Sequence, residues 1–174
     1  MKTASRLLLP IDVAMSERLL GAALGDLATW RVWLSVLKAA FALPLTDAER
    51  ALFVEVAGGR SSPGKRVREF WCVAGRRSGK SRIAALLAVY FAVFVQHKLA
   101  KGERGMVLVL AMSLEQARVV FSYALAFLRS SAVLADEIAE VTRSEIRLRN
   151  GITIAIHSNS FRSIRGRTLC ACVF

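Results

Sequence analysis

Carboxylates are scarce in this chain: 13 Asp and Glu stand against 25 Lys and Arg in 174 residues, a formal charge of +12. Such a deficit predicts attraction to a polyanion, whether nucleic acid, nucleotide or an anionic membrane surface. Cysteine is scarcer. The three, Cys72, Cys170 and Cys172, are an odd number set in apolar β-like runs, which suits reduced thiols packed as small core hydrophobes. Cys170-Ala-Cys172 has no second ligand pair to make a metal site. Long apolar runs are also missing. The longest, Ile83 to Val95, is thirteen residues, short of the roughly 20 that span a bilayer, and reads as a buried helix. Near the N-terminus Pro10 and Asp12 break the apolar stretch behind Lys2 and Arg6 before it reaches signal-peptide length. A cytoplasmic chain with no membrane partner is expected. No internal repeat or low-complexity segment is visible.

What is present is core material. At 55% hydrophobic the chain has enough for a domain of about this length. The first 45 residues read as helical and carry no recognisable chemistry. Ser16 and Asp26 are each placed to open a helix, and Trp30, Trp33, Leu34, Leu37 and Phe41 fall along one helical face before Pro44. Such an aromatic stripe reads as packing. Thr46 with Glu49 three residues on forms a capping box, and Gly58-Gly59 supplies a stop. Residues 60–68, "RSSPGKRVR", read as a basic loop.

Beyond that loop the pattern becomes strand, helix, strand, helix. "EFWCVA" reads as a strand, Gly79 to Lys98 as a helix, and "GMVLVLA" as a second strand. A helix capped by Ser113 and Gln116 follows. "SEIRLRNGITIAIHS" reads as a hairpin turning at Asn150-Gly151, and "TLCACVF" as a buried strand. Alternation of this kind predicts an α/β fold, a mostly parallel sheet covered by helices on both faces.

Between "FWCV" and the long apolar helix stands "AGRRSGKSR". A phosphate-binding loop has the form G-x-x-x-x-G-K-[ST] after a strand and before a helix. Ala74, Gly75, Arg76, Arg77, Ser78, Gly79, Lys80 and Ser81 meet it at every position but the first, where alanine replaces glycine, and Arg82 adds a further cation. The chemistry needs backbone N–H groups around a phosphate at a helix N-terminus, a lysine on the β/γ oxygens and a hydroxyl on Mg²⁺. Gly79, Lys80 and Ser81 supply these parts. The plain alternative, a solvated basic turn, does not need a buried segment on either side.

"FWCVAGRRSGKSRIAALLAVYFAV", "GMVLVLAMSLEQARVVFSYALAFL" and "NSFRSIRGRTLCACVF", in that order, resemble the ATPase domain of the large subunit of bacteriophage terminases, the motors that package DNA. The resemblance covers roughly residues 45–174 and implies a P-loop NTPase fold, with a helical segment 1–45 ahead of a partial ATPase domain 46–174. It implies ATP and Mg²⁺ as cofactors. Its partners would be double-stranded DNA, a portal protein and a small terminase subunit, with a homo-oligomeric ring for the full-length protein, in an infected or lysogenic bacterial host. It gives catalytic roles to Arg76, acting in cis on the phosphates, to Lys80, and to Arg165 as a finger toward a neighbouring subunit. The loop residues Ala74 to Arg82 would hold the nucleotide and Ser81 the metal. In this family "TLCACVF" would be the Walker B strand, followed by an Asp and a Glu; the sequence ends at Phe174, so a fragment that binds ATP without turning it over is expected. Two other readings stand beside it: another nucleic-acid translocase such as a helicase, and a non-catalytic basic module that binds DNA or a capsid partner.

Overall fold

The computed structural model describes residues 6–158 and 166–174. The N-terminal part begins with a two-residue strand, β1 (Arg6–Leu7), and a single helical turn, α1 (Ile11–Ala14). Two 3₁₀ turns follow, Leu20–Ala23 and Leu27–Trp30. Asp26 opens the second, its carboxylate accepting from Ala28 N–H at 2.9 Å. Ser16 opens nothing: its carbonyl accepts the N–H groups of Leu19 and Gly21 in a turn. Helix α2 (Arg31–Ala40) buries Leu37 completely, with Trp30 and Phe41 nearly so at its two ends.

Helix α3 (Asp47–Val56) begins with the expected capping box, Thr46 accepting from Glu49 N–H while the Glu49 carboxylate accepts from Thr46 N–H. It stops at Gly58 and Gly59, both with positive φ, where Gly59 N–H reaches the Val54 carbonyl at 2.9 Å, a Schellman closure. Lys38 of α2 pairs with Glu49 at 2.5 Å and ties the two helices together.

Residues 60–79 form an irregular stretch. The expected strand "EFWCVA" is not formed. Residues 69–74 have no ladder partner; Trp71 is 84% exposed and Val73 fully so. Cys72 is exposed with them, so it is not a core hydrophobe. An extended segment is stable in a sheet only through the ladder it joins, and this one joins none among the described residues.

Helix α4 (Lys80–Val93) is shorter than the expected 79–98 and apolar on every side, because every side is covered. It runs along three strands of the main sheet and against α5 (Leu114–Arg129). Tyr90 is fully buried, donates to the Leu9 carbonyl at 2.7 Å and meets the Phe41 ring edge-on at 5.1 Å. Burial pushes its phenol up to about 12. After α4 the chain makes β2 (Val95–Gln96), antiparallel to β1.

The main sheet contains β3 (Gly105–Ala111), β4 (Ile138–Val141), β5 (Glu145–Leu148), β6 (Ile152–Ser158) and β7 (Thr168–Val173), in the order β4-β5-β6-β3-β7. β3 is an interior strand, parallel to both β6 and β7, and buried on both faces, as its unbroken Gly-Met-Val-Leu-Val-Leu run requires. β5 pairs antiparallel with both β4 and β6, so the sheet is mixed, with β5 alone running against the other four strands. The hairpin forms, but as a three-residue turn: Gly151 N–H donates to Leu148 O and only Gly151 has positive φ. Strand β7 is half-buried, not buried. Among the described residues it pairs with β3 alone, and a bulge at Cys170 turns Cys170 and Cys172 toward opposite faces. Burial pushes both thiols up. Helices α4 and α5 pack on the face that carries Val107, Val109, Ile152, Ile154 and Ile156; the opposite face carries a smaller cluster of Met106, Leu108, Leu110 and Ala155. A short helix, α6 (Ala132–Ala135), links α5 to β4. Among the described residues no helix is long and apolar enough to cross a membrane.

Candidate functional site

One side-chain contact fixes where the loop before α4 lies. Asn150, in the turn that precedes β6, donates its amide to the Ala92 carbonyl at 2.8 Å. The C-terminal end of α4 therefore sits at the N-terminal edge of the parallel strands. Fourteen helical residues rise about 21 Å, and the seven residues of β6 about 23 Å. Running back along the sheet, α4 brings its N-terminus level with the strands' C-terminal ends, the edge at which open α/β sheets bind ligands.

The loop there is tightly curved. Arg77 (φ 61) and Gly79 (φ 84) are both left-handed, on either side of Ser78. A left-handed arginine is uncommon and is retained where surrounding structure imposes it. Alternation of hand turns successive N–H groups to one side, the geometry of an anion nest. Gly79 has a second reason to be glycine: a Cβ on it would lie 2.6 Å from the Trp30 ring.

Charge is the other feature. Arg76, Arg77 and Lys80 are exposed, and among the described residues no carboxylate pairs with any of them. The Lys80 ammonium donates to the Gly75 carbonyl at 3.2 Å across the mouth of the loop. A helix N-terminus carries about half a positive charge, so cations placed there are each unfavourable by roughly 0.3–1 kcal/mol. Three of them together are a standing cost that an anion would remove.

Of the nine residues expected to hold nucleotide, Gly75 to Ser81 surround this mouth, with Ala74 half-buried just before it. The Arg82 guanidinium donates to the Ala23 carbonyl and lies between two rings, 5.2 Å from Trp30 and 5.9 Å from Tyr123, so it braces the helix while lining the same cleft as the loop. Arg165 lies outside the described residues. Gly166 and Arg167, which follow it, line a separate cleft of about 370 Å³ with Glu103, Gly105 and Glu145 at the opposite, N-terminal edge of the sheet. There Arg167 lies 3.8 Å from Glu145.

Trp30 and Trp33 read as packing residues in the sequence, yet both grip the loop. Trp33 donates its indole N–H to the Ser78 carbonyl at 2.7 Å, and Trp30 packs its ring on Gly79. The available signal was the indole N–H itself, which seeks an acceptor when covered. A cleft of about 470 Å³ runs from Arg77–Ser81 past Trp30 and Trp33 to Val119 and Tyr123 of α5.

A nucleotide's phosphates fit this loop: its cations are unpaired, its backbone is curved, and its glycine leaves room only for a close neighbour. The donor set for Mg²⁺ is thinner. Ser81 offers one hydroxyl in the first turn of α4, the cleft lining contains no carboxylate, and among the described residues no three of His, Cys, Asp and Glu gather as a metal site. Mg²⁺ is commonly held by few protein groups together with substrate phosphates. No protein-family model matches the chain, and no curated protein matches it.

Proposed function

We propose that the chain binds ATP through residues Gly75 to Ser81, as the nucleotide-binding part of a DNA-packaging motor of the terminase large-subunit kind. One observation carries the reading: three uncompensated cations, Arg76, Arg77 and Lys80, crowd the positive end of a buried helix, where only an anion makes the arrangement favourable. In this reading Lys80 moves its ammonium from the Gly75 carbonyl to the β/γ oxygens. Arg76 balances further phosphate charge, and Ser81 turns its hydroxyl to Mg²⁺. The metal, when bound, would supply positive charge to neutralise the phosphates. Trp30 and Trp33 hold the loop in its curve before any ligand arrives. A charge of +12 suits a polyanion, and the resemblance is what makes double-stranded DNA the polymer. Portal, small subunit and ring assembly belong to the same proposal through the resemblance alone.

A second reading rests on the same charge and on the missing strand at 69–74: a basic module that binds DNA without nucleotide. Thermal melting separates the two. ATP with Mg²⁺ is expected to raise Tm for the natural chain and not for Lys80→Ala, which should melt at a similar temperature without ligand. Equal shifts in both proteins, or none in either, would remove the phosphate-loop reading and leave the basic module.

A further inference from the structure

We infer that the far end of the loop's cleft is a stacking subsite for the nucleotide's base, and that it selects poorly among purines. This rests on the phosphate-loop reading above. Val119 and Tyr123 stand one helical turn apart on α5 and face the cleft, yet they are 50% and 38% exposed. Residues four apart share a helix face, so together they leave an apolar, partly aromatic surface open beside a loop that attracts anions. An anionic ligand with a flat apolar part is what uses both ends at once, and the cleft, about 470 Å³, falls in the range of small-molecule sites.

Two further observations shape the subsite. The Arg82 guanidinium lies between the rings of Trp30 and Tyr123 and lines the same cleft, so it holds Tyr123 in place and little ordering remains to be done when a base stacks on it. Both indole N–H groups nearby are spent on the protein, Trp30 on the Leu24 carbonyl and Trp33 on Ser78, and Arg82 gives one of its five N–H groups to Ala23. Among the described residues no Asn, Gln, Asp or Glu side chain lines the cleft to pair with a base edge. Stacking without edge contacts is tolerant of base identity, because every base has a π-face.

Titration of the 174-residue chain with ATP, GTP and inorganic tripolyphosphate, followed by calorimetry, tests this. ATP and GTP should bind within about threefold of each other, and each about tenfold or more tighter than tripolyphosphate, from the contribution of one stacked base. Tyr123→Ala should bring ATP down to the tripolyphosphate level and leave tripolyphosphate unchanged, while Tyr123→Phe keeps the natural preference; the Tm of each variant confirms folding. The subsite is overturned if Tyr123→Ala binds ATP as the natural chain does, if tripolyphosphate binds as tightly as ATP, or if ATP exceeds GTP by about a hundredfold. Tripolyphosphate binding that survives Lys80→Ala overturns the loop reading itself, whatever Tyr123 does.

Discussion

Trp33 and Ser78 are joined by an indole-to-carbonyl hydrogen bond of 2.7 Å across 45 positions of sequence. With Trp30 stacked on Gly79, it clasps the N-terminal segment to the loop that heads α4. The Ser78 hydroxyl, by contrast, is buried with no partner among the described residues.

Trp33→Phe keeps an aromatic ring but removes the N–H donor and the indole's second ring. It should cost about 1 kcal/mol in urea unfolding and speed tryptic cleavage at Arg76 and Arg77. Ser78→Ala should be neutral or stabilising, because it deletes an unsatisfied hydroxyl. If Trp33→Phe unfolds at the natural midpoint, the clasp contributes nothing.

Gly79→Ala meets two obstacles, a left-handed backbone worth about 1–2 kcal/mol and the Trp30 ring 2.6 Å from the new methyl. A loss of about 2–4 kcal/mol is expected, with the excess over backbone strain coming from the ring. Pairing it with Trp30→Leu should recover about 1 kcal/mol relative to the sum of the single losses. Strict additivity would mean that the ring yields freely.

Glu49 sets an acid limit on stability. Burial pulls its carboxyl up, but hydrogen bonds from Lys38 and Thr46 hold it below its ordinary 4.5 on balance. A depressed folded value means stabilisation that is complete above about pH 4.5 and is lost as pH falls through the folded value. Glu49→Gln, which keeps a capping side chain, should be less stable by about 1 kcal/mol or less at neutral pH, with a flatter profile below pH 4.5. Parallel acid profiles would show that the pair with Lys38 is silent.

Residues 1–174 should bind nucleotide without turning it over. The cleft is lined by cations, hydroxyls, apolar and aromatic groups, and among the described residues no carboxylate or histidine lines it to deprotonate a water. Steady-state, Mg²⁺-dependent phosphate release that disappears in Lys80→Ala would contradict this.

Local chemistry was legible in the sequence. The Thr46–Glu49 box, the Ser113 cap, the Gly58-Gly59 stop and strand β3 all depend on neighbours within a few positions, and all form where their residues dictate. Partnership was not legible. "EFWCVA" has the composition of a strand, but composition does not supply a ladder, and β7 is left with one neighbour. The candidate site divides in the same way. Its glycines and cations stand in one short motif, whereas Trp30, Trp33 and Tyr123 reach it from elements about 45 residues away on either side, a relation that only packing creates. Arg82 reads as one more loop cation until its ring partners are seen.

The bare stretch 69–74 has a consequence for how the chain can be taken apart. Arg68 and Arg76 bracket it, and its backbone contributes no ladder. Trypsin should cut there first, dividing the chain into an amino-terminal piece with Trp33 and a carboxy-terminal piece with Ser78. The pieces remain bound by more than that one bond. Leu9 accepts from Tyr90, Ala23 from Arg82, β1 still pairs with β2, and Ile11, Leu37 and Phe41 share one core with Leu86 and Val89. Under native conditions the nicked protein should elute as a single species, and the two pieces, expressed apart, should find each other and reconstitute the fold.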